Sequence, residues 1–143
     1  MKNLIKKKAI DFCNVNNHRL TEPRLKVLEI MISSKKPLKA YEILEKLGKT
    51  FSNPKPPTVY RAIEFWKKHN FIHRIESINA YSICDADHLH DNGTQFLICS
   101  SCGDVTESHI CDLPKAIQNA INEKLFELKS WNLEMNGVCK KCN

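Results

Sequence analysis

No stretch of the chain approaches the roughly 18–20 consecutive apolar residues that a bilayer-spanning helix needs, which excludes a helical membrane protein. The opening segment, MKNLIKKKAIDFC, has charge scattered through it and lacks the apolar h-region of a secretory leader. Internal repeats and low-complexity tracts are also missing, which sets aside repeat arrays and compositionally disordered tails. Neither C-x2-C pair is preceded by proline, and the HLH triplet is followed by Asp91 rather than a matched glutamate. The H-x-E and P-C-x-x-C signature of zinc deaminases is therefore absent, and the chain is not expected to be an enzyme. The expectation is a soluble, cytoplasmic protein. Seven cysteines in that reducing compartment point to metal rather than to disulfides.

What is there is unevenly distributed. The 143 residues carry a formal charge of +6. From Met1 to Ser82 there are seventeen Lys and Arg against seven Asp and Glu, a balance of +10; from Ile83 onward five face nine, a balance of −4. A basic front and an acidic back suggest one lobe that meets a polyanion and one that does not. Lobes of this size bury a smaller share of their surface than a single 143-residue core would, so each leans on metal or on a partner chain.

Periodicity outlines the elements. Leu4, Ile5, Ala9, Phe12 and Cys13 recur at helical spacing over residues 2–17. Thr21 is a candidate N-cap, with Pro23 in the first turn of a helix carrying Leu25, Leu28, Met31 and Ile32. A short helix over 39–47 is expected to put Tyr41, Leu44 and Leu47 on one side and to stop at Gly48. Prolines 54, 56 and 57 can start a helix but not continue one. The segment PTVYRAIEFWKKHN then buries Val59, Ile63 and Trp66 and leaves Tyr60, Arg61, Glu64, Lys67 and Lys68 outside. FIHRIE and AYSIC alternate around Ser77-Ile78-Asn79 as a two-stranded hairpin. Helices followed by a hairpin outline a winged helix-turn-helix. Beyond it the pattern is strand (94–99), strand (104–110), helix (113–128) and strand (130–138), with Phe96 and Trp131 expected inside. The predicted fold class is α+β, an N-terminal winged helix-turn-helix followed by a small α/β lobe.

The cysteines supply the chemistry. Cys99 and Cys102 form one C-x2-C knuckle, and Cys139 and Cys142 repeat it. Two such knuckles present four thiolates to one tetrahedral Zn²⁺ at about 2.3 Å, a closed site with no place for an activated water. Cys84 closes the hairpin four residues before His88 and His90, His73 lies on the partner strand, and Glu107 leaves the first knuckle. Imidazole, thiolate and carboxylate gathered there fit a second, mixed-donor site; a lone strand-end cysteine and a solvated HLH are the plainer alternative. Cys13, Cys111 and His109 read as packing and surface.

The chain resembles the ferric-uptake-regulator family, most closely its zinc-uptake-regulator branch. HRLTEPRLKVLEI (18–30), AYEIL (40–44), KPPTVYRAIEFW (55–66), FIHRIES-INAYSIC (71–84), FLICSSCGDVTE (96–107) and NGVCKKC (136–142) carry the likeness. It implies a homodimeric transcriptional repressor with a DNA-binding domain (1–84), a hinge (85–93) and a dimerisation and zinc-binding domain (94–143). It implies two Zn²⁺ per subunit: a structural ion on the four knuckle cysteines and a regulatory ion on His73, Cys84, a linker histidine (His90, or else His88) and Glu107. It places DNA reading on Tyr60 and Arg61, with Thr58, Tyr41, Arg24 and Lys67 as further contacts to an AT-rich palindromic duplex. GTQFL before the first knuckle departs from the histidine-bearing pattern of many members, so a further metal site there is not expected. Hinge zinc would hold two recognition helices about 34 Å apart, the spacing of successive major-groove faces. The alternatives are an iron- or peroxide-responsive regulator of the same family and a zinc-ribbon interaction module.

Overall fold

The computed structural model describes residues 2–84, 93–108 and 112–143. Two compact units divide the chain, Met1–Cys84 and Asp85–Asn143.

The first unit runs α1 (Lys2–Val15), α2 (Glu22–Ser33), α3 (Ala40–Leu47), α4 (Pro56–Lys68), β1 (Ile72–Ile75) and β2 (Ala80–Ile83). Thr21 caps α2 as expected, its hydroxyl accepting from the Arg24 N–H at 3.4 Å. The Glu42 carboxylate accepts from the Lys39 N–H at 2.7 Å, the carboxylate half of a capping box that opens α3. Two prolines fill the first turn of α4, where a missing N–H costs nothing. Asn70, at φ 59°, ends that helix in the left-handed region, and the Phe71 N–H returns to the Trp66 carbonyl at 3.0 Å.

Trp66, Ile63, Val59 and Ala62 of α4 meet Val27, Leu28 and Met31 of α2, Ile43 and Leu47 of α3, and Ala9 and Cys13 of α1 in one buried cluster. The Trp66 indole N–H donates to the Arg24 carbonyl at 2.8 Å, so the ring is both packed and polar-satisfied. The apolar face of α3 is rotated from expectation. Ile43 and Leu47 are buried, whereas Tyr41 is 65% exposed, because the heptad-like match through Tyr41 competes with a better one through Ile43. Leu4 likewise lies outside.

The hairpin pairs Ile72 with Ile83 and Ile75 with Ala80, and Asn79 turns at φ 48°. Leu38 adds a bridge to it, exchanging both backbone hydrogen bonds with Tyr81 at 2.8 and 2.9 Å. Four helices and this small sheet form the winged helix.

In the second unit β3 (Gly93–Cys99) lies between β4 (Val105–Ser108), antiparallel, and β5 (Trp131–Gly137), parallel. The crossover contains α5 (Lys115–Glu123). The helix expected over 113–128 is shorter: it ends at Glu123, Leu125 turns at φ 50°, and the Phe126 N–H returns to the Ile121 carbonyl at 3.2 Å. Phe96 is buried as expected, but Trp131 is only half-buried. Its indole covers Gly93 so closely that a Cβ there would fall inside the ring. α5 buries none of its residues, and Leu125 and Phe126 are 95% and 62% exposed. Among the described residues no helix is long and apolar enough to cross a membrane.

Candidate metal centre and nucleic-acid interface

The four knuckle cysteines converge because β3 and β5 end in register. Cys99 pairs with Gly137, two residues before Cys139. The first knuckle folds back on itself: the Gly103 N–H donates to the Cys99 carbonyl and the Cys99 N–H to the Asp104 carbonyl, both at 2.9 Å. Gly103 takes φ 70°, which glycine adopts without strain. The Cys142 N–H closes the second knuckle on the Cys139 carbonyl at 2.9 Å. The knuckles are stitched together by the Ser100 N–H to the Gly137 carbonyl at 2.8 Å and by the Cys139 N–H to the Cys99 sulfur at 3.3 Å.

All four Sγ atoms lie within 4.8 Å of one another, and those of Cys102 and Cys139 are 3.8 Å apart. A tetrahedron with Zn–S bonds of about 2.3 Å has edges of about 3.8 Å, so the donor set fits zinc without rearrangement. The local dipoles are polarised for it. N–H groups of Cys102 and then Cys139 aimed at the Cys99 sulfur lower its thiol to about 6. The neighbouring sulfurs of Cys139 and Cys102 push Cys142 up to about 12. Such a cluster favours one resident thiolate but resists four, and a divalent cation supplies the missing compensation. With all four positions filled by sulfur, no coordination position remains open to substrate.

His73 and Cys84 belong to the wing. His73 stands opposite Ser82 in the β1–β2 register, and the Cys84 N–H donates to the Phe71 carbonyl at 3.0 Å just past β2. A ring nitrogen of His73 and the Cys84 sulfur lie within 4.8 Å of one another, an imidazole–thiolate pair set at one end of the hairpin. Glu107 lies on β4 of the second unit, opposite Phe96. His88 and His90 fall outside the described residues, as do His109 and Cys111. Cys13 is buried in the first unit, where desolvation pushes its thiol up, in keeping with a packing role.

On α4, Tyr60 is 51% exposed and Arg61 is exposed beside it, while Thr58 is half-buried in the first turn. Lys67 pairs with Glu64 at 2.8 Å. Arg24 is engaged within the unit: its guanidinium lies 4.1 Å over the Phe65 ring and donates to the Arg19 carbonyl at 2.6 Å. This packing was invisible in the sequence, because Arg24 and Phe65 are brought together only by the crossing of α2 and α4.

The profile of the Ferric uptake regulator family matches residues 15–136. The chain is 34% identical over 137 residues to the zinc uptake regulation protein of Escherichia coli strain K12, an alignment that spans 94% of this chain and 78% of that protein. A solved structure of a zinc uptake regulator complexed with zinc and DNA superposes with a TM-score of 0.91 at 31% identity, covering 99% of this chain and 95% of the other. A crystal structure of holo XcZur gives 0.85 at 30% identity, covering 99% and 98%.

Proposed function

The chain belongs to the ferric uptake regulator family, and on that premise we propose that it is a zinc-responsive, DNA-binding transcriptional repressor of zinc-uptake genes rather than an enzyme. The winged helix meets double-stranded DNA. α4 enters the major groove, where Arg61 reaches a purine edge and Tyr60 a thymine methyl, with Thr58 and Tyr41 beside them. Lysines of the +10 front half, Lys67 among them, supply phosphate contacts. Arg24, already committed to Phe65, acts mainly by fixing α2 against α4. The favoured site is an AT-rich palindrome read by a homodimer, joined through the second unit. Support for that pairing comes from α5, whose apolar Ile117 is 42% exposed in the single chain.

Each subunit takes two zinc ions in this reading. Cys99, Cys102, Cys139 and Cys142 hold the structural one. His73, Cys84, a linker histidine (His90 or His88) and Glu107 hold the regulatory one, in a hinge over 85–93 between a DNA-binding domain (1–84) and a dimerisation domain (94–143). The observation that carries the regulatory assignment is the His73–Cys84 pair on the wing. A thiolate in the exchangeable site favours zinc over the oxygen- and nitrogen-seeking iron of the family's other sensors. Ligands drawn from both sides of a hinge select one shape of the dimer, so metal and DNA assist each other's binding by the same factor. The test is binding of the full-length protein to palindromic duplex, with zinc and with chelator, against single-stranded RNA. Tight duplex binding only with zinc is expected; equal affinity of loaded and stripped protein overturns the sensor.

A further inference from the structure

We propose that His18 and His69 form a proton-sensitive joint at the root of α4, loosening the seat of the recognition helix as the surroundings become mildly acidic. This regulation rests on the reading of α4 as the DNA-contacting helix.

The two rings lie 4.6 Å apart between centroids, where three separate pieces of chain meet. Phe12, at the end of α1, packs against both, at 5.5 Å from His18 and 4.8 Å from His69. Phe65, one turn back on α4, contacts them from the other side at 5.6 and 4.8 Å. Phe71 closes the box, 5.5 Å from Phe12 and 5.2 Å from Trp66. His18 is held in place by its own N–H, bonded to the Cys13 carbonyl at 2.8 Å, and His69 is the C-cap of α4.

For packing alone phenylalanine would serve in either place. Histidine differs in being able to acquire charge, and at His69 the neighbours make that charge unwelcome. From α2 comes Arg24, stacked on Phe65; α4 contributes Lys68; the α1–α2 connection contributes His18; α1 contributes Phe12, which carries no charge. Each of His18, Lys68 and Arg24 disfavours the His69 cation. A protonated histidine at a helix C-terminus is ordinarily stabilised by the helix dipole. Here desolvation, with His18, Lys68 and Arg24 after it, outweighs that gain and lowers the proton affinity of His69. The sign follows. A histidine depressed below its ordinary value of about 6.5 leaves the fold fully stable above that pH and drains stability as the pH falls below it. Protonation places positive charge in the box beside the Arg24 guanidinium over Phe65 and drives apart the ends that seat α4 on α1 and α2.

The test uses full-length, zinc-loaded protein and compares wild type with His69→Phe and His69→Gln. Each variant removes the titration, and the second guards against a poorly packed first. Thermal unfolding at about pH 7.5 and pH 5.5 is followed by circular dichroism, with the ring proton of His69 titrated by NMR. The fall in Tm on acidification should be larger in wild type than in the variants by about 5 °C. Loss of zinc from His73 affects all three proteins alike and cancels in that comparison. Equal falls in all three, or a His69 that titrates at or above an ordinary histidine, overturn the joint. Operator binding is measured in parallel. At about pH 7.5 the variants should match wild type within about twofold, and at about pH 6 they should retain more of their affinity. A wild type that binds no duplex at either pH removes the DNA reading, while the Tm comparison still decides the joint.

Discussion

Replacing Cys102 by serine tests what the four-sulfur cluster contributes to the second unit. Among the described residues of that unit, the buried apolar side chains are Phe96, Ile98 and Cys99. At about 1.5–3 kcal/mol for each fully buried side chain, Phe96 and Ile98 supply about 3–6 kcal/mol of gross stabilisation, the Cys99 thiol being counted with the metal. Structural zinc in small all-protein sites is worth about 10–16 kcal/mol of apparent binding free energy, and that energy is folding energy. The metal thus exceeds what the fully buried apolar side chains of its own unit supply. Cys102 faces Cys139 across one 3.8 Å edge of the tetrahedron, and a serine hydroxyl neither ionises near neutrality nor reaches the same bond length. The Cys102→Ser chain should lose one zinc per chain in a colorimetric chelator assay. The two indole N–H signals, resolved by NMR, then report each unit separately. That of Trp66, bonded to the Arg24 carbonyl at 2.8 Å, should stay in place, and that of Trp131 should collapse toward its unfolded position. A variant that keeps full zinc content and an unmoved Trp131 signal would falsify this account of the second unit.

Three further outcomes are expected. Cys84→Ser should weaken operator binding in excess zinc by about 5–150-fold while the four-cysteine ion stays bound, measured by fluorescence anisotropy alongside metal content. Arg61→Ala should relax sequence preference by about 1–3 kcal/mol at one base pair, whereas Lys67→Ala should weaken all sequences alike and reduce the salt slope by about one. Equal losses from both variants on every sequence would remove Arg61 as a base reader. Gly93→Ala should cost the second unit about 1–3 kcal/mol by overpacking against Trp131, read as a lowered denaturation midpoint of the Trp131 signal with that of Trp66 unchanged.

Much of this was legible from residue order because the governing signals are local. Thr21 with Pro23, the prolines before Thr58, and Val59, Ile63 and Trp66 at helical spacing mark elements whose cause lies within a few residues. The knuckles were legible because C-x2-C is a chemical requirement rather than a propensity. What escaped depends on contacts distant in sequence. The face chosen by α3 is set by where α2 and α4 sit, so Ile43 displaced Tyr41 from the interior. Leu38 pairs with Tyr81 across more than forty positions. α5 stops early because Leu125 turns left-handed, a conformation that leucine does not advertise. The aromatic box around His18 and His69 was missed for the same reason, since its members come from α1, the following loop, α4 and the approach to β1.

The pairing of β3 with β5 has a bearing on how the molecule is made. The central strand and its two thiols emerge from the ribosome first, and the partner strand with Cys139 and Cys142 follows some forty residues later. Until then the early pair can grip metal only loosely, whereas the winged head, whose buried cluster ends at Tyr81, is already able to fold. Capture of an ion by all four cysteines therefore waits on the second knuckle, after the winged head has been made. Metal scarcity during synthesis would leave a folded winged head beside a second unit that lacks its ion.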